Sequence, residues 1–306
     1  MNRHLLTLYT RTPLHVGCGT SVDVVDLPIM RERITNFPVI PSTSIKGVLR
    51  QSGRDFASTD AGQKAAYTAT TNDVLFGNKD DVRKDSQGKE IFHAGCVQIM
   101  EAKLLAFPVR SLAGCFAWLT CPAVLRRFQR DTDTSFYIPA VAKDEAVVAT
   151  SSELTVQGQS KVVLEEYALT SVSDRSEHGN VVGAFLPLLA DTLWKDKLSA
   201  RLAILHDEDF QHFVSTCTEV VARIVINPAT RTNTNLFNQE NVPCETLFYT
   251  VLQVLTPRRK DGTGDPSTQL TALLAANPTI QIGGDETTGH GFCEAKHEVL
   301  QPQANA

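Results

Sequence analysis

With 306 residues, 42% of them hydrophobic and 21% charged, the chain can bury a sizeable core and falls outside the disordered class. A formal net charge of -5 excludes a protein coated in basic charge, though not one with a single basic face. Seven cysteines, an odd number without a CxxC pair, exclude an obvious disulfide framework or zinc motif and read as reduced, mostly buried thiols.

His4 to Thr10 alternates at strand period and, with the residues before it, reads as a strand rather than a signal peptide. Thr12-Pro13 ends that run, and Gly17-Cys18-Gly19 follows as a turn. Residues 20 to 38 read as a polar loop. Val39-Ile40 is then a short strand, and the hydroxyl cluster Ser42-Thr43-Ser44 before Ile45-Lys46-Gly47-Val48-Leu49-Arg50 is the signature of a helix N-cap. Residues 77 to 93 are polar and charged, hence a surface loop. Val97 to Leu105 is extended, and Phe116 to Phe128 is expected as a helix ending in basic residues.

Glu153 to Gln157 and Lys161 to Thr170 are expected as a hairpin joined by Gly158-Gln159-Ser160. An amphipathic helix is expected over 209–222, with Phe210, Phe213, Val214, Cys217 and Val221 on one face. Ile224-Val225-Ile226 continues into a strand. The Asn- and Thr-rich stretch 227–243 follows, then a strand over Thr246 to Leu255, a helix over Gln269 to Ala276, the glycine loop from Gln281, and a last strand near Gly291 to Leu300. Strand–helix–strand order near both ends suggests an α+β sheet of ferredoxin type, in one domain over 1–306 with insertions at about 15–40, 60–95 and 227–243. The longest apolar run, Leu112 to Leu125, is too short and too interrupted to span a bilayer, so the expected location is cytoplasmic, with no membrane partner.

Gly284-Asp285-Glu286-Thr287-Thr288-Gly289-His290-Gly291 has the glycine spacing of a P-loop but carries His290 in the lysine position and Gly291 in the hydroxyl position, which excludes a Walker site. What remains is a loop whose backbone N–H groups can approach a phosphate chain, or a plain structural turn. Asp23 and Asp26, beside two glycines, can hold a divalent ion or take a proton, or be ordinary solvated acids. His15 nearby can act as a general base or be structural. His206-Asp207-Glu208-Asp209 resembles a ligand set, but acids at a helix start satisfy the dipole and the first free amides. Lys46 sits in the first turn of its helix, where a cation is poorly placed unless an anion binds there too. The residues alone thus describe an α+β protein that fits an RNA-binding role. A small-molecule metalloenzyme using His15, Asp23 and Asp26 would leave the glycine loop and Lys46 unexplained.

The stretch Thr12 to Thr20, Val24-Val25-Asp26-Leu27-Pro28-Ile29 and Arg31-Glu32-Arg33 resembles the family of the fourth Cmr subunit. This is the RAMP-superfamily, Cas-seven-like backbone of type III-B CRISPR effectors. The similarity continues through Phe37 to Pro41, Ser44 to Arg50, Leu75-Phe76-Gly77, Phe107 to Leu112, Phe116 to Phe128, Thr218 to Ile226 and Ile282 to Gly291, in order along nearly the whole chain.

The resemblance implies a ferredoxin-like palm with an inserted thumb hairpin, placed here at about 227–243. It also implies copies stacked along a CRISPR RNA with other Cmr-type subunits, and cleavage of complementary target RNA by metal-dependent endoribonuclease chemistry in antiviral defence. Asp26 matches the catalytic aspartate and would hold Mg²⁺ or Mn²⁺ or assist proton removal, with His15 and Glu240 beside it. Ser42, Ser44, Lys46, Arg50, Gly283, Gly284, Thr287, Thr288 and Gly289 would line the guide-RNA groove. Three positions depart from the family pattern: Asp23 replaces a small residue, Cys18 replaces Ser, and Phe237-Asn238-Gln239-Glu240-Asn241 replaces an aromatic-acidic run in which Glu240 keeps the acidic role. A non-catalytic RNA-binding subunit of the same complex is the alternative.

Overall fold

The computed structural model describes residues 2–20, 25–78, 83–84, 87–88, 90–173, 175–258 and 264–300. Asp23, singled out above, lies outside them, as do Arg259 and Lys260. The first half contains strand β1 (Asn2–Thr10), β2 (Val39–Ile40), helices α1 (Ser42–Ala57), α2 (Asp60–Lys64) and α3 (Ala69–Phe76), then the short strands β3 (Arg83–Lys84) and β4 (Glu90–Ile91). Next come β5 (Val97–Ile99), β6 (Ala102–Arg110), β7 (Phe116–Thr120), α4 (Pro122–Thr132), β8 (Glu145–Val148), β9 (Lys161–Leu164) and β10 (Tyr167–Ser173). The rest contains α5 (Arg175–Phe185), α6 (Thr192–Arg201), β11 (Leu202–Leu205), α7 (Asp207–Thr216), β12 (Glu219–Ile226), β13 (Asn233–Asn241), β14 (Leu247–Val254), α8 (Pro266–Ala276), β15 (Thr279–Gln281) and β16 (Phe292–Leu300).

One twelve-stranded sheet organises the molecule, in the order β15-β16-β1-β14-β6-β7-β11-β8-β10-β9, with β2 added on β6 and β5 on β14. β1 is antiparallel to both of its neighbours, β14 and β16. It is buried from His4 to Thr10, so both faces are covered and the expected in–out alternation does not hold. Its polar residues are therefore bonded: Thr7 Oγ1 donates to Leu188 O at 2.8 Å, Thr10 Oγ1 donates to Pro243 O at 2.9 Å, and His4 Nε2 lies 2.9 Å from Ser267 Oγ. The core runs continuously from Leu5 in β1 to Cys293 in β16. α1, α3 and α8 pack on one another, α1 through Ile45, Leu49, Gly53 and Phe56. Among the described residues no helix is long and apolar enough to cross a membrane.

Several elements differ from the sequence reading. The apolar run from Phe116 is a buried strand up to Thr120. The helix starts only at Pro122, whose fixed φ and missing N–H suit the first helical position. Helix α7 stops at Thr216, and Glu219–Ile226, rich in β-branched residues, is strand β12, so Val221 is not on a helical face. β12 pairs with β13 into a separate two-stranded hairpin, so the projecting arm covers Glu219 to Asn241 rather than 227–243. Of the hairpin expected across Gly158-Gln159-Ser160, one antiparallel bridge forms, Thr155 to Val162, while the regular pairing is β9 with β10, turning at Glu165, whose φ is +49°. α1 has Pro41 at its cap position and no capping side-chain bond, so the hydroxyls of Ser42, Thr43 and Ser44 are not used up at the helix start. His206 to Asp209 do cap helices: His206 accepts from Glu208 N, and Asp207 Oδ1 accepts from Ala123 N of α4 at 2.9 Å.

Candidate active site and RNA-binding faces

The loop between β1 and β2 folds back on itself and against the base of the hairpin. Leu14 and Val242 exchange backbone N–H···O bonds, both 2.9 Å. Met30 N donates to Val16 O at 2.7 Å and Cys18 N to Pro28 O at 3.1 Å, closing residues 16–18 onto 28–30. Leu27 N donates to Asn238 O at 3.1 Å and Glu240 N to Leu27 O at 3.0 Å, so residue 27 runs parallel to β13. The last residues of β13 are thus paired on both sides, by β12 and by this loop.

That strand brings Asp26, His15 and Glu240 together. Asp26 is exposed, and its Oδ2 accepts from the backbone N–H of Asn238 at 2.7 Å. This fixes the carboxylate and leaves Oδ1 open to a ligand. His15 is half-buried with Nδ1 at 2.7 Å from the carbonyl oxygen of Glu240. A carbonyl only accepts, so Nδ1 donates, and in the neutral ring Nε2 is then the acceptor nitrogen. A Cβ on Gly17 would lie 2.7 Å from that Nε2, so glycine at 17 leaves room for the ring.

The carboxylate of Glu240, in contrast, turns inward. It receives Arg31 at 2.6 Å, Thr218 Oγ1 at 2.7 Å and the backbone N–H of Ile29 at 3.0 Å. Burial alone would raise its pKa. The Arg31, Thr218 and Ile29 donors outweigh burial and hold the carboxyl below the ordinary range. With both oxygens engaged, Glu240 fastens the Asp26 loop to β13.

The glycine-rich loop lies against the other side of the His15 segment. Gly284 N donates to His15 O at 2.9 Å and Gly291 N to Pro13 O at 2.9 Å. At Gly283, φ is +86° and a Cβ would lie 2.2 Å from His15 O, so only glycine fits. Glu286 to Thr288 form one tight turn. Thr287, Thr288 and Gly289 are exposed, with Thr288 Oγ1 donating to Asp285 O at 2.9 Å. Sequence reasoning gave no role to the residues that tie this loop to the hairpin. Asp285 Oδ1 pairs with Arg223 at 3.0 Å, and Oδ2 accepts from Gln239 Nε2 at 2.7 Å. The available signal was an acid amid glycines, but its partner on β12 is set by the fold.

Ser42, Ser44, Lys46 and Arg50 lie together on α1. Ser42 and Lys46 line a cleft with Gln98 and Arg258, and Lys46 and Arg50 line a second with Asn78 and His93. Among the described residues Lys46 has no ion-pair partner. Two other arginines face inward: Arg31 is engaged by Glu240, and Arg127 holds Glu32 at 2.5 and 3.0 Å. Among the described residues no group of three His, Cys, Asp or Glu is arranged to hold a metal. Of the two acids at this site, Asp26 rather than Glu240 keeps an open oxygen.

A sheet with an outlying hairpin, a clasped acidic loop and a glycine-rich C-terminal loop is a mixed α/β arrangement, and the RAMP superfamily model matches it over residues 7–294. The chain is 38% identical over 300 residues to the CRISPR system Cmr endoribonuclease Cmr4 of Pyrococcus furiosus, covering 95% of this chain and 94% of that protein. The crystal structure of oligomeric Cmr4 from Pyrococcus furiosus superposes with a TM-score of 0.72 at 31% identity, covering 99% of this chain and 100% of that one. The cryo-EM structure of the type III-B Cmr-beta bound to cognate target RNA contains a chain of the same fold, with a TM-score of 0.69 at 17% identity and 96% of each chain covered. The chain belongs to the RAMP superfamily and, within it, to the Cmr4 family.

Proposed function

We propose that this chain is a backbone subunit of a type III-B CRISPR effector, active in the cytoplasm. Copies of it stack along a CRISPR RNA with other Cmr subunits and cut complementary target RNA. The observation that carries the reading is the docking of Asp26 and His15 on one strand, β13. Asp26 presents an open carboxylate oxygen there, and His15 is held by Nδ1 so that Nε2 is the ring nitrogen left for a ligand. Identity to the Pyrococcus endoribonuclease over nearly the full chain supports the same activity, and the oligomeric crystal form of that family supports stacking of copies.

The finer fold reading is one RAMP domain built on a ferredoxin-like palm. β1–α1–β6 and β14–α8–β16 have the required βαββαβ order, and the four strands lie as β16-β1-β14-β6, all antiparallel. The hairpin β12–β13 is then the thumb. The loop residues Gly283, Gly284, Thr287, Thr288 and Gly289, with Ser42, Ser44, Lys46 and Arg50, form the guide face. Backbone N–H groups and the ammonium of Lys46, unpaired among the described residues, suit a phosphate chain there.

In the reaction, a ribose 2′-oxygen bonds to the adjacent phosphorus while the bond to the 5′-oxygen breaks. This requirement for a 2′-hydroxyl restricts the substrate to RNA. His15 Nε2 is placed to take the 2′-hydroxyl proton, a role worth on the order of 10²–10⁴-fold. A Mg²⁺ or Mn²⁺ ion, when bound, supplies charge stabilisation to the phosphate. Asp26 would hold it, a single carboxylate that suits an ion otherwise ligated by phosphate and water. Glu240 orients the loop. The test is Asp26→Ala in the assembled complex with a matched guide. Cleavage falls by at least the roughly 10²–10⁴-fold typical of a missing acid–base group, with target affinity retained. Undiminished cutting would reduce the chain to an RNA-binding subunit.

A further inference from the structure

Asp285 is the one non-glycine residue of the C-terminal loop in a left-handed conformation, with φ at +63°, alongside Gly283, Gly289 and Gly291. Glycine would be the unstrained choice for a mere turn. Its side chain does not cap its own turn either. The carboxylate instead leaves the loop: Oδ1 meets Arg223 of β12 at 3.0 Å and Oδ2 accepts from Gln239 of β13 at 2.7 Å. Gln239 is buried at 2% exposure and also donates to Asn241 Oδ1 at 3.1 Å. Arg223 further contacts His290 Nε2 at 3.3 Å. The flanking residues of Gln239 in β13 are Asn238, whose N–H holds Asp26, and Glu240, whose carbonyl holds His15. The backbone on either side of Asp285 grips the His15 segment through Gly284 N and Gly291 N. One carboxylate therefore joins the loop assigned to the guide to the strand on which both reacting side chains dock.

We propose that Asp285 is a positioning residue whose carboxylate, bridging Arg223 and Gln239, sets the Asp26–His15 pair in register with the RNA strand held by the glycine-rich loop. The inference rests on the nuclease reading above. Loss of the bridge leaves both RNA faces intact and loosens the distance between guide and cutting site.

The experiment uses the assembled complex with guide and a matched target titrated up to saturation, and Asp285→Gly, which keeps the backbone conformation and removes the carboxylate. The expected result is a kcat lower by on the order of 10- to 10²-fold with KM unchanged, and cuts spread over neighbouring phosphodiesters. Arg223→Gln, altered on the hairpin rather than the loop, should reproduce both effects and decides the matter alone if Asp285→Gly does not assemble. Asp285→Asn retains an acceptor for Gln239 and should restore part of the rate. Wild-type rate and cut positions in both variants would overturn the proposal, as would a fall in guide affinity that fully accounts for the slower cutting. Asp26→Ala runs alongside: if it cuts normally, the nuclease reading has failed, whereas an inactive Asp26→Ala beside a normal Asp285→Gly removes only the positioning role.

Discussion

Replacing Glu240 separates a chemical role from a holding role. Its carboxylate and Arg31 form a pair at 2.6 Å with side-chain exposures of 9% and 15%. Truncating one partner of such a buried pair costs about 3–5 kcal/mol, because the other charge stays behind. Arg31 is not wholly stranded, since its other terminal nitrogen still donates to Asn36 O at 2.8 Å and Val214 O at 3.0 Å. The lower end, about 3 kcal/mol, is therefore expected for Glu240→Ala. At about 2.1 cal/mol/K of unfolding entropy per residue, a chain of 306 residues drops roughly 5 °C in Tm for that change.

The pH dependence has a definite sign. The folded-state pKa lies below the unfolded value, so the pair contributes fully above about pH 4.3 and is lost as pH falls through the folded pKa. The wild-type advantage over Glu240→Ala should therefore shrink on acidification below about pH 4. Thermal unfolding of the isolated subunit at neutral and acid pH measures both effects, and cleavage by the assembled complex measures function. A variant that melts like wild type yet cuts no RNA would refute the reasoning, because the carboxylate would then act in the chemistry.

Two further outcomes concern single side chains. Lys46→Ala should weaken guide binding and make the slope of log K against log salt shallower by about 0.7, the value for one neutralised phosphate on a single strand; an unchanged slope in binding titrations removes Lys46 from the guide face. Glu245 has a buried Oε2 without a hydrogen-bond partner, and burial pushes its carboxyl up to about 7. A raised acid stabilises the fold below its unfolded pKa and loses that contribution as pH rises through the folded one, so Glu245→Gln should raise Tm at pH 8 and change it little near pH 4. An equal shift at both pH values in a melting series would contradict this.

What the sequence made legible follows the physics of each segment. β1, β14, α8 and β16 were readable because short runs bounded by turn residues carry their own signal. Phe116 to Thr120 was not, since an apolar run without a break fits a buried strand as well as a helix, and only Pro122 marks the change. Over 219–226 the β-branched run competed with a helical spacing inherited from α7, and pairing with β13 decided it. At the site, Asp26 and His15 stood out as titratable groups beside two glycines, the resemblance made Asp26 the catalytic candidate, and the structure docks both on β13. The inward turn of Glu240 and the reach of Asp285 to Arg223 depend on partners distant in sequence, which no local pattern encodes.

The hairpin explains why so many bonds converge on the last residues of β13. Val220, Ile224, Ile226 and Leu236 are 52%, 56%, 53% and 61% exposed, so the arm buries little of its own. A two-stranded ribbon in water is marginal by itself. Its order must come from the base, where Leu27, Glu240 and Asp285 clamp residues 238–240. Those same clamps hold Asp26 and His15 in place. The energy that keeps the arm upright is therefore the energy that keeps the site assembled. A partner that covers the apolar arm stabilises the arm's ordered form, and with it the clamps that hold Asp26 and His15. An isolated subunit, with the arm uncovered, should accordingly hold Asp26 and His15 less firmly than a subunit whose arm is covered.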